Sequence, residues 1–342
     1  MSEKITILMI NMAKGFGGGE FQTERLISEL SAKYNISFLG KKESIFVKKI
    51  RQNMPQIQVL TLLEAIKLVI CKKNIIIHAQ DGRAVHIASF LKRISRNNIM
   101  VITRHVSFPF KRKISLFSYK NADYLIGVSK QVTNNLQCLN KHYKTIYGCI
   151  PSLQENIEFE MQYFSNKNSF SVAQIGNLQL IKNISLTINL AVLFPHINFY
   201  IVGSGPLEQE LKQQAKDLNN VIFIPFTPYV GSVLKHIDLH IMPSHSEGLG
   251  SVILEAYQYK VPTIAHATGG IPEIIENGET GYLIQENNVE EYQKVLQSLV
   301  ASPDKLLELQ KNITHYVANN DFSARRMAME YRSIYQELLE KD

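Results

Sequence analysis

The sequence predicts an α/β fold with two domains, each built on a parallel sheet covered by helices. Short apolar strands alternate with amphipathic helices along the whole chain, an order typical of parallel sheets with helices on both faces. The chain has 342 residues, enough for two domains with separate cores. A polar stretch without a clear period, residues 151–168, is predicted to be the linker between the domains.

The first predicted domain covers residues 1–150. Its apolar strands are predicted at Ile5–Ile10, Asn35–Leu39, Gln58–Leu60, Ile75–His78, Met100–Thr103 and Tyr124–Val128. A glycine loop at residues 15–19 and a helix over Glu20–Lys33 follow the first strand. Further amphipathic patterns predict helices over Arg83–Arg93 and Lys130–Leu139.

The second predicted domain covers residues 169–322 and repeats the same alternation. Its strands are predicted at Phe170–Ile175, Asn198–Val202, Val221–Ile224, Leu239–Met242 and Thr263–Ala265. Helices are predicted over Ser185–Leu193, Leu207–Leu218 and Ser251–Tyr259. The last twenty residues, 323–342, predict a charged amphipathic helix with one apolar side, formed by Met327, Tyr331, Ile334, Tyr335 and Leu338.

The composition is that of a soluble globular protein, with 45% hydrophobic and 20% charged residues. No apolar run has the length of a membrane span, since the longest candidate, Leu60–Ile70, is interrupted by Glu64 and Lys67. The first fifteen residues lack the layout of a signal peptide. The three cysteines have no metal-ligand spacing and suit reduced thiols. We therefore expect a cytoplasmic protein.

The net charge of +7 is unevenly distributed. Residues 1–160 carry 24 Lys and Arg against 11 Asp and Glu, a net +13, whereas residues 161–342 carry 13 against 19, a net −6. Such asymmetry favours an anionic partner for the first half, either a membrane surface or a phosphorylated acceptor. Nucleic acid is disfavoured because no DNA- or RNA-binding motif accompanies the charge. A solvated basic face without a partner is the alternative.

Two glutamates, Glu247 and Glu255, enclose a glycine-containing turn and the start of a short helix. Eight residues of helix span about 12 Å, roughly the distance between the sugar and the ribose of a nucleotide diphosphate sugar. A helix N-terminus between the carboxylates offers free N–H groups to a diphosphate. Carboxylates accept hydrogen bonds from sugar and ribose hydroxyls. This arrangement predicts a sugar-nucleotide site.

The glycine loop at residues 15–19 is a second place where backbone can approach a phosphate or an acceptor. The loop follows a predicted strand and precedes a predicted helix. The loop does not match the dinucleotide-binding motif GxGxxG strictly, and the GK[ST] sequence of a P-loop does not follow it. The sequence therefore does not favour a P-loop nucleoside triphosphatase.

Several motifs in a fixed order resemble the retaining GT-B glycosyltransferases of family 4. They are the glutamate pair, Pro243-Ser244, Pro262, Gly269-Gly270 with Glu273, Gly17-Gly18-Gly19-Glu20, Val128-Ser129 and Gly203-Ser204-Gly205-Pro206. The resemblance covers nearly the whole chain. It implies two Rossmann-like domains whose parallel sheets face one another across a cleft, with the C-terminal helix 323–342 packing back on the first domain.

The resemblance also implies a set of donor-binding residues. Lys182 aligns with the lysine that binds the donor diphosphate, where a cation stabilises the leaving group. Asn177 occupies a position where the family has arginine, so one positive charge is missing from the expected site. The full predicted donor set is Gly18, Gly19, Asn177, Lys182, Gly205, Glu247, Gly248, Leu249, Gly250 and Glu255.

Further site candidates lie at the carboxyl ends of strands in the first half. His105 resembles a cleft histidine of the family, close to the transferred sugar, where a neutral imidazole could donate a hydrogen bond to a hydroxyl. Together with Lys182 and Glu247 it forms the predicted catalytic set. Acceptor contacts are predicted for Asp81, Arg83 and Arg104. No metal is implied, because the acidic residues form no DxD cluster and the family resembled here works without a bound ion.

Two segments mix cations with apolar residues, Phe108–Phe117 and Ser44–Arg51. Such segments suit an anionic bilayer surface, so we expect a peripheral position on the cytoplasmic face of the inner membrane. The alternative is that both are amphipathic helices with their apolar faces in the core. A nucleotide diphosphate sugar is expected as co-substrate, with no cofactor.

The sequence as a whole favours a metal-independent retaining hexosyltransferase. It would move sugar from a nucleotide diphosphate sugar to a hydroxyl of a glycan or lipid-linked saccharide in bacterial lipopolysaccharide or other surface-glycan synthesis. Two alternatives stay open at this point. One is a sugar-nucleotide 2-epimerase of the same fold, and the other is a non-catalytic glycan-binding or scaffold relative that has lost the arginine at position 177.

Overall fold

A computed structural model describes residues 4–95, 97–108, 110, 113–165 and 169–340. The chain forms two compact units. The first unit comprises Met1–Cys149 with Phe322–Asp342, and the second comprises Ile150–Asp321. Each unit has its own parallel sheet, so the predicted α/β class with two Rossmann-like sheets is confirmed.

The first unit has a seven-stranded sheet in which all pairs are parallel. Its strands are β1 (Thr6–Asn11), β2 (Asn35–Gly40), β3 (Gln58–Leu60), β4 (Ile76–Ala79), β5 (Ile99–Arg104), β6 (Tyr124–Gly127) and β7 (Tyr143–Thr145), in the order β3-β2-β1-β4-β5-β6-β7. Its helices are α1 (Gly18–Leu30), α2 (Ile45–Asn53), α3 (Leu62–Cys71), α4 (Ala84–Ile94), α5 (Lys113–Lys120) and α6 (Lys130–Asn134).

The second unit has a six-stranded parallel sheet in the order β10-β9-β8-β11-β12-β13. Its strands are β8 (Ser171–Ile175), β9 (Asn198–Val202), β10 (Val221–Ile224), β11 (Leu239–Met242), β12 (Thr263–His266) and β13 (Gly281–Ile284). Its helices are α7 (Ile157–Phe164), α8 (Ile184–Leu193), α9 (Glu208–Gln214), α10 (Val230–Lys235), α11 (Ser251–Gln258), α12 (Val289–Ala301) and α13 (Pro303–Asn319).

The strands are buried on both faces, which explains why they read as continuous apolar runs. In β1, Ile7 and Met9 point into one hydrophobic cluster, and Leu8 and Ile10 point into the cluster on the opposite face. All four side chains are fully buried. Because successive residues of a strand face opposite sides, a sheet covered by helices on both faces needs apolar residues at every position.

Side-chain caps fix where several helices begin. Ser44, Thr61 and Ser129 each accept a hydrogen bond from a backbone N–H in the first turn, at the starts of α2, α3 and α6. Each such cap satisfies one of the four N–H groups that a helix leaves without an intrahelical partner.

The last helix, α14 (Ala324–Leu339), belongs to the first unit. Six of its side chains are buried in the cluster that contains Ile7 and Met9; they are Met327, Ala328, Tyr331, Ile334, Tyr335 and Leu338. The apolar side predicted from the sequence is therefore the side that packs against the sheet of the first unit.

The segment predicted as a linker, residues 151–168, differs from that prediction because it contains α7. Asn156 caps this helix by accepting from Phe159 N at 2.8 Å, and Phe164 is buried in the second unit. Glu160 binds Ser232 Oγ at 2.9 Å and His236 Nε2 at 2.9 Å. The helix was missed because its eight residues are too few to establish a period in a polar context, whereas these long-range contacts stabilise it.

No helix in the described part of the chain combines the length and apolar character that a bilayer span requires.

Candidate functional site

In the second unit, the loop after β8 is packed tightly against the loop after β9. A Cβ on Gly205 would lie 2.5 Å from Leu178 O and 2.7 Å from Leu178 N, so only glycine fits at this position. Gly205 thus has a packing role that the prediction of a donor contact did not include. The close approach fixes the backbone next to Asn177, whose side chain is exposed.

Lys182 ends a short 3-10 turn, Leu180–Lys182, after this loop. Its carbonyl oxygen accepts from Gln174 Nε2 at 2.7 Å, and Gln174 Oε1 accepts from Thr187 Oγ1 at 2.6 Å. The ammonium group donates to Glu247 Oε1 at 2.5 Å, and the two side chains are 24% and 13% exposed. Two of the three residues predicted to be catalytic therefore form an ion pair.

The turn that carries Glu247 is held on several sides. The His245 N–H donates to Ile181 O at 2.8 Å, and His266 Nδ1 donates to Ser244 O at 2.8 Å. A Cβ on Gly269 would lie 1.8 Å from Glu247 O, and Gly269 has φ +60°. The Glu247 backbone is therefore positioned by direct contact with a residue that must be glycine.

Helix α11 begins after Gly250, as the glutamate spacing predicted. Glu255 lies in its second turn, half-buried and next to the buried side chains Leu254 and Ala256. Burial raises the pKa of the Glu255 carboxyl to about 7. Gly248 and Leu249 complete the turn between the two glutamates, and the Leu249 side chain is buried.

A buried histidine that the sequence analysis did not identify lies close to this cluster. His240 on β11 has its Nδ1 3.1 Å from Thr263 Oγ1. Burial and the nearby Lys182 charge lower the pKa of His240 to about 3, so the ring is neutral at physiological pH. A neutral ring beside Lys182 adds no positive charge to the one that the lysine supplies.

In the first unit, two of the residues predicted to contact the acceptor, Asp81 and Arg104, form hydrogen bonds within the protein. The Asp81 carboxylate accepts from the backbone N–H groups of Met12, of Arg83 at 2.7 Å and of Ala84 at 3.2 Å. These bonds join the end of β1 to the start of α4. The Arg83 side chain is exposed.

Arg104 is buried, contrary to the orientation that an acceptor contact requires. Its guanidinium carbon lies 4.1 Å from the centre of the Phe110 ring, and the group donates to Phe108 O and to Tyr119 Oη at 3.4 Å. Cation–π contact and these hydrogen bonds stabilise the charge inside the unit. The position at the end of β5 was predicted correctly, but the side chain turns inward.

His105 is half-buried beside the start of α1. Its Nε2 lies 3.0 Å from Gln80 Oε1, and burial lowers the pKa of the ring to about 4, so the imidazole is neutral near pH 7. A Cβ on Gly19 would lie 3.4 Å from His105 Cγ, which places the glycine loop against the ring. Gly18, Gly19 and His105 therefore lie together in the first unit.

Among the residues that the structure describes, no group of three or more His, Cys, Asp or Glu side chains is arranged to hold a metal ion.

Comparison with known families identifies the second unit. Residues 155–317 match the sequence model of the glycosyl transferases group 1, and this range contains Lys182, Glu247 and Glu255. The second unit therefore carries a group 1 glycosyltransferase domain, and the protein is a glycosyltransferase. The match begins close to the start of α7 and ends within α13.

Curated relatives support this assignment, and a solved structure shows the same fold. An uncharacterised glycosyltransferase of Haemophilus influenzae is 25% identical over 330 residues, which cover 92% of this chain and 87% of the relative. The N-acetyl-alpha-D-glucosaminyl L-malate synthase of Bacillus anthracis is 26% identical over 255 residues, covering 69% of this chain and 65% of the relative. The structure of Anabaena HepE in complex with UDP-glucose shares the GT-B fold with this glycosyltransferase at a TM-score of 0.84 and 19% identity, covering 99% and 100% of the two chains.

The hydrogen bonds among the polar side chains near His105 could not be predicted from the sequence of this glycosyltransferase. His78 and Gln80 on and after β4, and Tyr331 and Tyr335 on α14, form hydrogen bonds in the first unit. One signal was available, because buried tyrosines on the apolar side of a helix need partners for their hydroxyl groups. The sequence could not show which partners they have.

Gly269→Ala should reduce both the stability and the donor affinity of the glycosyltransferase. The added Cβ collides with the Glu247 backbone and adds the cost of a positive φ, about 1–2 kcal/mol. Gly278→Ala is a matched control, because Gly278 also has a positive φ of +84° but has no atom within 4 Å of an added Cβ. Urea unfolding and calorimetry with a nucleotide sugar measure the two effects. Loss of donor affinity in both variants to the same degree would contradict a positioning role for Gly269.

Proposed function

We propose that this glycosyltransferase moves a hexose-type sugar from a nucleotide diphosphate sugar to a hydroxyl of a glycan or lipid-linked saccharide, with retention of configuration. The observation that supports the proposal most directly is the ion pair of Lys182 and Glu247 beside the start of α11, with Glu255 in the second turn of that helix. A cation, two carboxylates and a helix start lie within one unit. The HepE structure, which holds UDP-glucose, is the precedent for such a donor.

The donor diphosphate would take the place of the Glu247 carboxylate as the partner of Lys182. Both are anionic, so the lysine exchanges one partner for another and keeps its charge compensated. The Glu247 carboxylate that this exchange releases can then accept from a hydroxyl of the sugar. Glu255, when ionised, accepts from the ribose hydroxyls.

In the proposed reaction, the acceptor oxygen attacks the anomeric carbon from the face that the diphosphate leaves. The new glycosidic bond forms as the bond to the diphosphate oxygen breaks, and the departing diphosphate takes the acceptor proton. Lys182 stabilises the charge that grows on the leaving group. His105 is proposed to contact the transferred sugar. An amide oxygen, Gln80 Oε1, lies 3.0 Å from its Nε2, so the hydrogen belongs on Nε2 and the ring would accept a hydrogen bond through Nδ1, in place of the donated one expected from the sequence.

A donor screen tests the proposal. Calorimetry with UDP- and GDP-sugars, beginning with UDP-glucose, should find at least one ligand, and mass spectrometry should find a glycosylated product when a lipid extract supplies acceptors. Conversion of the nucleotide sugar without an acceptor would identify an epimerase instead. Absence of binding to every nucleotide sugar would identify a non-catalytic relative and contradict transfer.

The acceptor is proposed to lie at the anionic cytoplasmic surface of the inner membrane, as expected for lipopolysaccharide or another surface glycan. Apolar side chains on α4 and α5 support this proposal, since Phe90, Ile94, Ile114 and Phe117 are between 40% and 64% exposed. Arg93 adds charge there, 4.4 Å from the centre of the Phe117 ring. We name these five residues the α4–α5 patch. Lys111 and Arg112 of the predicted basic segment lie outside the described residues.

The second segment with mixed character, Ser44–Arg51, gives less support to membrane binding. Phe46, Val47 and Ile50 of α2 are buried in the core of the first unit, so the apolar face of this helix is already covered. This is the alternative that the sequence analysis left open. The membrane proposal therefore depends on the α4–α5 patch and on the net charge of the first half.

The glycosyltransferase should co-sediment with vesicles that contain anionic phospholipid at low salt. Raising the ionic strength from about 0.05 M to 0.5 M should release it, because the screening length then falls well below 10 Å. Arg93→Ser should weaken partitioning about fivefold, since one interfacial cation contributes about 1 kcal/mol. Leu307→Ser, on the exposed side of α13 in the second unit, is the control and should have no effect. Equal losses in both variants, or no sedimentation at low salt, would contradict membrane docking.

A further inference from the structure

The last helix of the chain directs two tyrosine hydroxyls toward one buried histidine of the first unit. Tyr335 Oη lies 2.6 Å from His78 Nδ1. Tyr331 Oη lies 3.0 Å from Thr103 Oγ1, which in turn lies 2.8 Å from His78 Nε2. Both nitrogens of the His78 ring therefore have partners, Nδ1 directly on α14 and Nε2 on Thr103 of β5, which Tyr331 of α14 contacts in turn.

His78 is connected to His105 through a single side chain, Gln80. The amide nitrogen of Gln80 lies 3.1 and 3.3 Å from the two ring nitrogens of His78, and 3.4 Å from Met9 Sδ. A neutral imidazole has one N–H group and one lone pair, so the NH₂ group of the amide faces two acceptors, the thioether sulfur and the one His78 nitrogen that carries the lone pair. The amide oxygen then faces His105 Nε2 at 3.0 Å.

This orientation fixes the tautomer of His105. An amide oxygen only accepts hydrogen bonds, so His105 Nε2 must carry the hydrogen atom, and the lone pair of the neutral ring lies on Nδ1. Gly19 lies beside the ring, since a Cβ at this position would be 3.4 Å from His105 Cγ. The His105 ring therefore lies between the glycine loop and Gln80, and its Nε2 is hydrogen-bonded to Gln80 Oε1.

We propose that Tyr335 is a positioning residue for transfer, which holds His105 in the Nε2–H tautomer through His78 and Gln80. This inference rests on the proposed function, in which His105 accepts a hydrogen bond from the transferred sugar. Tyr335 does not itself contact the substrate in this scheme. The last helix of the chain thereby contributes to the chemistry as well as to the core.

The physical reason is the orientation of the Gln80 amide. When the Tyr335 hydroxyl donates to His78 Nδ1, that nitrogen carries the lone pair of the neutral ring and faces the NH₂ group of Gln80 at 3.3 Å. Without the hydroxyl, the fully buried ring can take the opposite tautomer, with the hydrogen on Nδ1. Rotating the Gln80 amide by 180° would then direct its oxygen toward His78 and its NH₂ group toward His105. An NH₂ group at His105 Nε2 favours the opposite tautomer, in which Nδ1 carries the hydrogen and can no longer accept.

Tyr335→Phe tests the inference, because it removes one oxygen and keeps the ring that packs in the core. Nitrogen-15 NMR of the imidazole groups should show His105 as the Nε2–H tautomer in the unaltered protein and as a mixture in the variant. Turnover, kcat, should fall about three- to tenfold, the effect of one lost hydrogen bond, while the donor KM stays unchanged. Tyr292→Phe is the matched control, because Tyr292 Oη is buried without a hydrogen-bond partner among the described residues.

A double-mutant cycle with Gln80→Leu separates positioning from a general loss of stability. If Tyr335 acts through Gln80, adding Tyr335→Phe to Gln80→Leu should not lower kcat further. Additive losses, or a kcat decrease in Tyr335→Phe with unchanged His105 nitrogen shifts, would overturn the inference. If the unaltered protein transfers no sugar, the proposed function fails, and the NMR measurement still decides whether Tyr335 fixes the His105 tautomer.

Discussion

Lys182→Ala should lower kcat about 100-fold, with a much smaller rise in the donor KM. Before the donor binds, Lys182 is already paired with Glu247 at 2.5 Å. Ground-state binding therefore exchanges one anionic partner for another and gains little. The charge that develops on the departing diphosphate is new, and stabilising it affects turnover more than affinity. Steady-state kinetics and calorimetry with the same nucleotide sugar measure the two effects separately.

Lys212→Ala is the control for this prediction. Lys212 also pairs with a glutamate, Glu208 at 2.8 Å, but the pair lies on the exposed surface of α9. Its removal should leave both constants unchanged, since exposed pairs contribute little. If Lys182→Ala raises KM and leaves kcat unchanged, Lys182 stabilises the ground and transition states equally and is a binding residue only.

Glu255→Gln should weaken donor binding tenfold or more, because the ribose hydroxyls lose a charged acceptor, a loss of about 1.5–3 kcal/mol. The raised pKa of about 7 adds a pH dependence. In the unaltered protein the carboxylate is mostly protonated at pH 6, so donor affinity should rise about tenfold between pH 6 and pH 8. In the glutamine variant the affinity should not change over this range. A pH dependence that persists in Glu255→Gln would assign the titration to another group.

The same substitution should stabilise the fold at alkaline pH. Burial raises the folded pKa of Glu255 from 4.5 to about 7, so keeping the carboxyl ionised in the folded protein lowers stability progressively as pH rises from 4.5 to 7. Glu255→Gln should therefore raise the free energy of unfolding by up to about 3 kcal/mol above pH 8, with the gain disappearing near pH 4.5. Urea unfolding at several pH values measures it.

Glu308→Gln, on the exposed side of α13, is the control for the stability measurement and should show no gain. A gain in Glu255→Gln that is independent of pH would contradict the electrostatic explanation. Glu255→Gln should therefore make the fold more stable and donor binding weaker. This combination is expected when a side chain serves ligand binding and destabilises the fold.

The sequence predicted the parts of this protein that depend on local spacing. Helix α11 with Glu255, and the turn before it with Glu247, follow from a glycine-containing turn and a period of 3.6 residues, and the structure places the helix start after Gly250. Eleven of the thirteen strands that the structure describes were found because burial on two faces demands continuous apolar runs. Strands β7 and β13 were missed; β7 has only three residues, and exposed or half-buried side chains interrupt both.

Partners that are distant along the chain could not be predicted. Tyr335 and His78 are separated by 257 residues, and nothing near either one indicates the other. The contacts of Arg104 could not be predicted either, although its partner Phe110 is close in sequence. Its place at the end of β5 follows from the strand pattern, but stacking on Phe110 decides where the guanidinium points.

The discontinuous first unit has a consequence for the order of folding during synthesis. Every residue of the second unit leaves the ribosome before α14 does, and the second unit is continuous in sequence. It can therefore fold while the sheet of the first unit still lacks the six side chains that α14 contributes to its core. A nascent chain stopped before residue 322 would expose the apolar surface around Ile7, Met9 and Ile126, which makes it a substrate for chaperones until the last helix is made.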